Sequence, residues 1–334
     1  WSDEDLGSPW RGPALGDFDG DGVTEAVAAT QGTMYGGGTR LLAFDTAAHT
    51  LEAMSEPFQD EASFAGTQDL EVTDADGDGV DELLLTRWDG ASAIWQRFGL
   101  TRIGEFIELS AGAVAAPELS PQAVAAVDLG LDGTPEILMG VSVLPPGRHG
   151  LAAFDLHGRL TGARTLGDDP VIELRQADLD HDGDPELVTL TSRALTAFDL
   201  RTMTPIASLT GQLPGHFIAM DVTPDGRVLT AEGLQEVGVY ELGRRGLRSV
   251  ARWHIRDELR SVRAAGADRV LLIGRWVGPF SRGSLSVHET LSGRSLWETS
   301  HDHDANDGQW LAVEPSTGEL WSAGASSVYA WALP

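Results

Sequence analysis

One nine-residue pattern recurs down this chain and restricts its fold more than any other feature. It reads D-x-D-x-D-G-x-x-E. The first copy is Asp17-Phe18-Asp19-Gly20-Asp21-Gly22-Val23-Thr24-Glu25, the second is Asp74 to Glu82, and the third intact copy is Asp178 to Glu186. A fourth stretch, Asp128 to Glu136, keeps Asp128, Asp132 and Glu136 but has Gly130 at position three. A fifth, Asp221 to Leu229, has Thr223 at position three and Leu229 at position nine. Two more stretches, around Asp268 and Gly318, keep only the turn. Taking Gly22, Gly79, Gly133, Gly183, Gly226, Asp268 and Gly318 as markers, the spacings are 57, 54, 50, 43, 42 and 50 residues. A unit of four short strands needs roughly 40–50 residues, so seven such units fill almost the whole chain.

The strand pattern repeats with the turns. An apolar run precedes the turn, as in Ala123–Val127, Phe217–Met220 and Trp310–Val313. A second follows it, as in Glu82–Leu85, Glu186–Leu190 and Arg269–Ile273. A third ends in an acid: Leu42–Asp45, Leu151–Asp155, Leu195–Asp199 and Leu285–Glu289. A fourth, more polar run leads into the next unit. Short strands separated by Gly, Asp and Asn turns predict an all-β chain, a seven-bladed β-propeller with four-stranded blades in one domain over 1–334. The seventh unit lacks an obvious fourth strand, so the segment 1–10 is expected to add it as an outer strand and close the ring, because an open ring leaves a sheet edge unsatisfied.

The intact turns carry the chemistry. Calcium takes six to eight oxygens at about 2.3–2.6 Å, and Asp at alternate positions of a tight loop turns several carboxylates inward. Gly at position six permits the sharp turn, a carbonyl at position seven adds an oxygen, and a longer acid closes the site. The predicted calcium ligands are therefore Asp17, Asp19, Asp21, the Val23 carbonyl and Glu25; Asp74, Asp76, Asp78, the Val80 carbonyl and Glu82; and Asp178, Asp180, Asp182, the Asp184 carbonyl and Glu186. Asp128, Asp132 and Glu136 make a weaker set. The alternative is a solvated turn, since Asp and Gly are ordinary turn residues. Three copies in register favour the metal, because clustered carboxylates repel strongly without a cation. Position twelve is Ala28, Leu85 and Thr189, and apolar strands follow, which excludes the EF-hand and the dockerin pattern.

These turns, set inside strand repeats of this period, resemble the FG-GAP and VCBS repeats of integrin α-like propellers and bacterial surface proteins. The resemblance implies a seven-bladed propeller with calcium turns between the first two strands of a blade and ligand binding by loops on the opposite face. It departs from that family in lacking the Phe-Gly and Gly-Ala-Pro signatures and in having Glu at position nine. The stretch Leu285 to Trp297 also looks like the repeat of quinoprotein propellers, without a cofactor constellation.

Charge narrows the partners. The net charge is −28, from 51 acidic and 23 basic residues, and every basic residue is Arg. That argues against nucleic acid, which needs a basic footprint, and suits cation binding. The 334 residues contain no run of eighteen apolar residues, so no membrane insertion is expected. No leader is visible at the N-terminus; an exported protein would have lost it. There is no cysteine.

Three further features are candidates. His301 to Asp307 gathers metal-ligand types, against the reading of a hydrophilic loop. Arg244, Arg245, Arg248, Arg252, Arg256, Arg260 and Arg263 form a basic stretch suited to an acidic partner, against solvated positions balancing nearby acids. Of ten Trp residues, Trp88 and Trp276 are the first candidates for stacking on sugars, although most Trp are expected in the core. No nucleophile elbow, phosphate loop or zinc-protease helix is present. The expectation is a calcium-stabilised extracellular, cell-surface or periplasmic module that binds a protein or glycan. The alternative is a carbohydrate-active enzyme, polysaccharide-lyase-like, on a structural-calcium propeller.

Overall fold

The computed structural model describes residues 8–31, 39–57, 69–88, 91–115, 123–143, 148–210, 217–276, 282–301, 310–314, 318–323 and 328–332. Among the described residues, the regular structure is all strand, in seven sheets whose strands neighbour one another in chain order. The first sheet is β1 (Ser8–Gly16), β2 (Glu25–Gln31), β3 (Leu41–Asp45) and β4 (Thr50–Met54). The second is β5 (Asp69–Thr73), β6 (Glu82–Trp88), β7 (Ser92–Leu100) and β8 (Phe106–Ala115). The third is β9 (Val124–Val127), β10 (Glu136–Val143), β11 (Arg148–Phe154) and β12 (Leu160–Gly167). The fourth is β13 (Val171–Ala177), β14 (Glu186–Thr191), β15 (Ala194–Asp199) and β16 (Pro205–Thr210). The fifth is β17 (Phe217–Val222), β18 (Val228–Glu232), β19 (Glu236–Gly243) and β20 (Gly246–His254). The sixth is β21 (Glu258–Ala264), β22 (Arg269–Trp276), β23 (Arg282–Glu289) and β24 (Ser295–His301). The seventh holds β25 (Trp310–Val313), β26 (Glu319–Ala323) and β27 (Val328–Ala332). Seven antiparallel sheets in this order make a seven-bladed β-propeller.

The burial pattern explains why the strands differ in composition. Second strands are covered on both faces, so they read as unbroken apolar runs. Every residue of β14 is buried, and Leu83, Leu84 and Leu85 of β6 are fully enclosed. Fourth strands sit at a sheet edge. In β16 only Ala207 is buried, and β12 buries none of its residues.

The chain divides into two compact units. The first comprises 1–126, 134–170 and 310–333. Its cores lie between adjacent sheets. Leu83, Leu85 and Phe98 pack with Val27 and Leu41, and Trp95 of the second sheet meets Phe154 of the third edge-on at 5.9 Å. Trp321 and Val328 of the seventh sheet pack with Ala26, Ala28 and Phe44 of the first. The second unit comprises 127–133 and 171–309 with residue 334. There Leu190 and Leu195 share a core with Met220 and Tyr240, and Leu229 and Val239 share one with Leu259 and Leu272.

Acidic side chains also tie neighbouring sheets through backbone N–H groups. Asp69 Oδ2 accepts from Val124 N at 2.9 Å, and Asp81 Oδ2 accepts from Asp17 N at 3.0 Å. Glu173 Oε2 accepts from Met220 N at 2.6 Å, and Asp221 Oδ2 accepts from Ala264 N at 2.8 Å. Charge-assisted bonds of this kind are stronger than neutral ones.

The expectation for segment 1–10 is corrected in part. Ser8 and Pro9 pair with Gln31 and Thr30, and β1 runs on from them as one strand of the first sheet. Residues 8–10 therefore extend β1 along β2, whose backbone groups they satisfy, and do not form an outer strand of the seventh sheet. Residues 1–7 lie outside the described residues.

Candidate metal centre

The three intact acid turns join the first strand of a sheet to its second, at β1–β2, β5–β6 and β13–β14. Each is built the same way, and the sequence dictates how. Asp at position one caps the turn: Asp17 accepts from Asp21 N at 3.1 Å and from Gly22 N at 3.0 Å. Asp74 accepts from Gly77, Asp78 and Gly79 N at 2.8–3.0 Å, and Asp178 from Gly183 N at 3.1 Å. The Asp at position five accepts the N–H of position seven, from Val23, Val80 and Asp184, the three residues predicted as carbonyl ligands. Short polar side chains bonding their own backbone are what make Asp a turn former.

Position six is left-handed throughout, with φ of 89° at Gly22, 86° at Gly79 and 95° at Gly183. A side chain added at Gly79 would meet nothing within 4 Å, so Gly79→Ala costs only backbone strain. It is expected to destabilise the protein by about 1–2 kcal/mol, measured by urea unfolding in calcium-free buffer. Position four is left-handed too, at Gly20, Gly77 and His181, a regularity the sequence reading missed because His181 is not glycine.

Glu at position nine is the buried element. Glu25 is 1% exposed, Glu82 4% and Glu186 6%. In each turn its Oε2 accepts the N–H of position two: Phe18 at 2.8 Å, Ala75 at 2.7 Å and Leu179 at 2.8 Å. The residue at position two is itself buried, so an apolar side chain there anchors the turn in the core. The sequence reading gave it no role; its signal was the apolar residue between two acids. Burial pushes Glu25 up to about 8, helped by the nearby charges of Glu52, Asp19 and Asp17. Burial likewise pushes Glu82 and Glu186 up to about 7.

That shift fixes a pH dependence for the metal-free protein. A raised carboxyl pKa means the folded state holds more protons than the unfolded chain between the ordinary value of 4.5 and about 8. Stability then falls as pH rises through that window. Thermal melts in excess chelator at pH 5, 6, 7 and 8 are expected to show a falling midpoint. A midpoint independent of pH without metal would refute the burial of these acids.

The structure brings together oxygens of Asp17, Asp19 and Glu25 within 4.8 Å of one another. It does the same for Asp178, Asp180 and Glu186, and for Asp74, Asp76 and Asp78. Asp21 and Asp182 stand outside those triplets and serve the turn. An all-oxygen donor set suits a hard cation such as calcium. Asp178 Oδ1 is a buried oxygen with no hydrogen-bond partner, the kind of orphan a cation satisfies. Glu52 of β4, missed from sequence, adds charge beside the first turn, and its own pKa is raised by burial and then by Asp19.

The other turns fall short of this. In the third sheet Asp128 accepts from Asp132 N at 3.0 Å and Gly133 N at 2.9 Å, the same frame, but position three is Gly130. Asp128, Asp132 and Glu136 form no such triplet among the described residues. In the fifth sheet Thr223 accepts from Arg227 N at 2.9 Å, and the Arg227 guanidinium pairs with Asp225 and Glu241.

Of the remaining candidates, the arginine stretch resolves in part toward the plainer reading. Arg248 pairs with Glu241, Arg252 with Glu232, Arg260 with Glu258 and Arg263 with Glu173. Four of the seven arginines of the basic stretch are thus balanced by acids of their own surroundings. Trp88, Trp95, Trp253, Trp297, Trp321 and Trp331 are buried or half-buried. The Trp276 side chain lies outside the described residues, as do Asp302, His303, Asp304 and the rest of that loop to Asp307.

No family model matches the sequence, and no curated protein matches it. Solved structures share the fold. Raptor from Chaetomium thermophilum gives a TM-score of 0.72 at 11% identity, over 98% of this chain and 28% of that one. This chain therefore spans under a third of that protein's length. A chain of the mitotic checkpoint complex gives 0.68 at 10% identity, over 100% of this chain and 88% of that one. The β-propeller domain of Cps50 (Swd1) from Myceliophteria thermophila gives 0.67 at 12%, over 97% of both. The fold class is that of β-propellers. No helix among the described residues is long and apolar enough to cross a membrane.

Proposed function

We propose that this chain is a calcium-stabilised propeller that works as a binding or scaffolding module for a protein or glycan partner outside the cytosol. The observation that carries the reading is the convergence of buried Glu25 with Asp17 and Asp19, repeated by Glu186 with Asp178 and Asp180. Acids so placed repel one another and favour a divalent ion between them. Millimolar calcium outside the cell fills sites that resting cytosol leaves empty, which favours an extracellular, cell-surface or periplasmic setting. The kinship to FG-GAP and VCBS repeats belongs to the same reading.

Topology supports a role in binding. The acid turns leave one end of each sheet's strands. β2 and β4 of the first sheet end, at Gln31 and Met54, on the opposite side. Loops on a rigid scaffold are where binding function concentrates. One similar structure belongs to a multiprotein assembly, the mitotic checkpoint complex, which fits a partner-binding role. The test is metal content. Dialysed to equilibrium against millimolar calcium, the protein is expected to hold bound calcium, and Asp17→Asn and Asp178→Asn to hold one ion fewer each. Retention of none by the unmodified protein would overturn the reading.

A further inference from the structure

The second acid turn differs from the other two in one buried side chain. Strand pairing sets Arg97 of β7 opposite Leu84, two residues beyond Glu82. The same register position holds Ala43 opposite Val27 in the first sheet, Ala153 opposite Leu138 in the third and Ala197 opposite Val188 in the fourth. Three sheets thus place a methyl group where the second places a guanidinium. Arg97 is 9% exposed, and its Nη1 lies 3.3 Å from Glu82 Oε1 and 3.4 Å from Asp76 Oδ2. Its Nε is buried without a hydrogen-bond partner. A guanidinium stays charged at every accessible pH, and burying one is costly unless acids face it.

The acids respond to it. In the first and fourth turns the buried Glu joins the triplet of converging oxygens; in the second the triplet is Asp74, Asp76 and Asp78, with Glu82 turned to Arg97. We propose that Arg97 is the resident cation of the second acid turn: it supplies there the neutralising charge that calcium supplies in the first and fourth, so that the acids of this turn are neutralised without metal and bind calcium at least tenfold more weakly. The comparison rests on the metal reading of the first and fourth turns; the pairing of Arg97 with Glu82 stands without it. Arg102 does not play this part in the first turn. It is exposed, and its bonds go to the carbonyls of Asp19 and Gly20, leaving the carboxylates to a metal. The fifth turn has an arginine of its own, Arg227 beside Asp225, where position nine is Leu229.

Equilibrium dialysis against radioactive calcium on the full chain tests this. Asp17→Asn and Asp178→Asn are each expected to remove one tightly bound ion, and Asp74→Asn none. Arg97→Ala is expected to add one tight ion by strengthening the second turn at least tenfold, and adding Asp74→Asn to that variant to remove it. An ion lost on Asp74→Asn alone, or none gained on Arg97→Ala, would sink the proposal. Arg97→Met, which keeps the volume, serves if the alanine variant does not fold. A metal-free arm separates the two readings. In chelator, Arg97→Met is expected to lower the melting temperature, and Glu82→Gln in that background to recover most of the loss. An equal loss whether Glu82 is acid or amide would show that Arg97 neutralises nothing, whatever the calcium data say. If Asp17→Asn and Asp178→Asn change no bound calcium, the metal reading fails and this second arm still decides the role of Arg97.

Discussion

On the proposed calcium reading, excess chelator is expected to lower the melting temperature of the calcium-equilibrated protein by roughly 8 °C. A ligand at a hundred times its dissociation constant stabilises the folded state by about 2.7 kcal/mol per site, so the first and fourth turns together give about 5.4 kcal/mol. Unfolding entropy near roughly 2.1 cal/mol/K per residue comes to about 0.7 kcal/mol/K for 334 residues, which converts that energy to the stated shift for a single cooperative transition. Differential scanning calorimetry with calcium and with excess chelator measures it directly. Asp17→Asn and Asp178→Asn should each remove about half of the difference, and magnesium should replace little of it, because it demands tighter octahedral geometry. An unchanged midpoint in chelator would refute metal stabilisation.

The second large effect comes from packing. Trp95 of β7 is completely buried between the second and third sheets, against Phe154 and below Gly112. Trp95→Ala is expected to cost about 3–5 kcal/mol, the transfer energy of the ring plus the cavity it leaves. Trp95→Phe is the informative contrast. The indole N–H is buried without a hydrogen-bond partner, so replacing it removes an unsatisfied donor while keeping most of the ring contact. The phenylalanine variant is expected to stay within about 1.5 kcal/mol of the parent. Chemical denaturation of both variants in calcium measures the pair. Similar losses for the two would mean that the N–H has a partner and that ring volume is secondary.

What the sequence conveyed was what repeats. The strand beginnings at Glu25, Glu82, Glu136 and Glu186 follow directly from the acid turns, since an apolar run after a left-handed glycine has few other folds to join. The frame of each turn was legible for the same reason: Asp at positions one and five, and glycine at six, each have a local backbone partner. What stayed hidden depends on contacts between segments distant in sequence. Arg97 belongs to a different strand from the acids it faces, and only the pairing of β6 with β7 brings it to Glu82. Glu52 reaches the first turn across β3. The expectation that the segment 1–10 finishes the seventh sheet failed for residues 8–10 because edge satisfaction alone does not choose between two open edges; the pairing of Ser8 and Pro9 with β2 does. The Arg244–Arg263 stretch looked like a patch in one dimension, yet its four members on β20 and β21, Arg248, Arg252, Arg260 and Arg263, face four separate acids.

The bond from the position-nine glutamate back to the N–H of position two closes each acid turn on itself without help from an ion. An arriving cation would therefore meet a cradle already shaped and need only shed water, with no chain search ahead of it. Exchange at these turns should then keep pace with rapid rises and falls of calcium in the surroundings, and the scaffold would stiffen or relax with little lag.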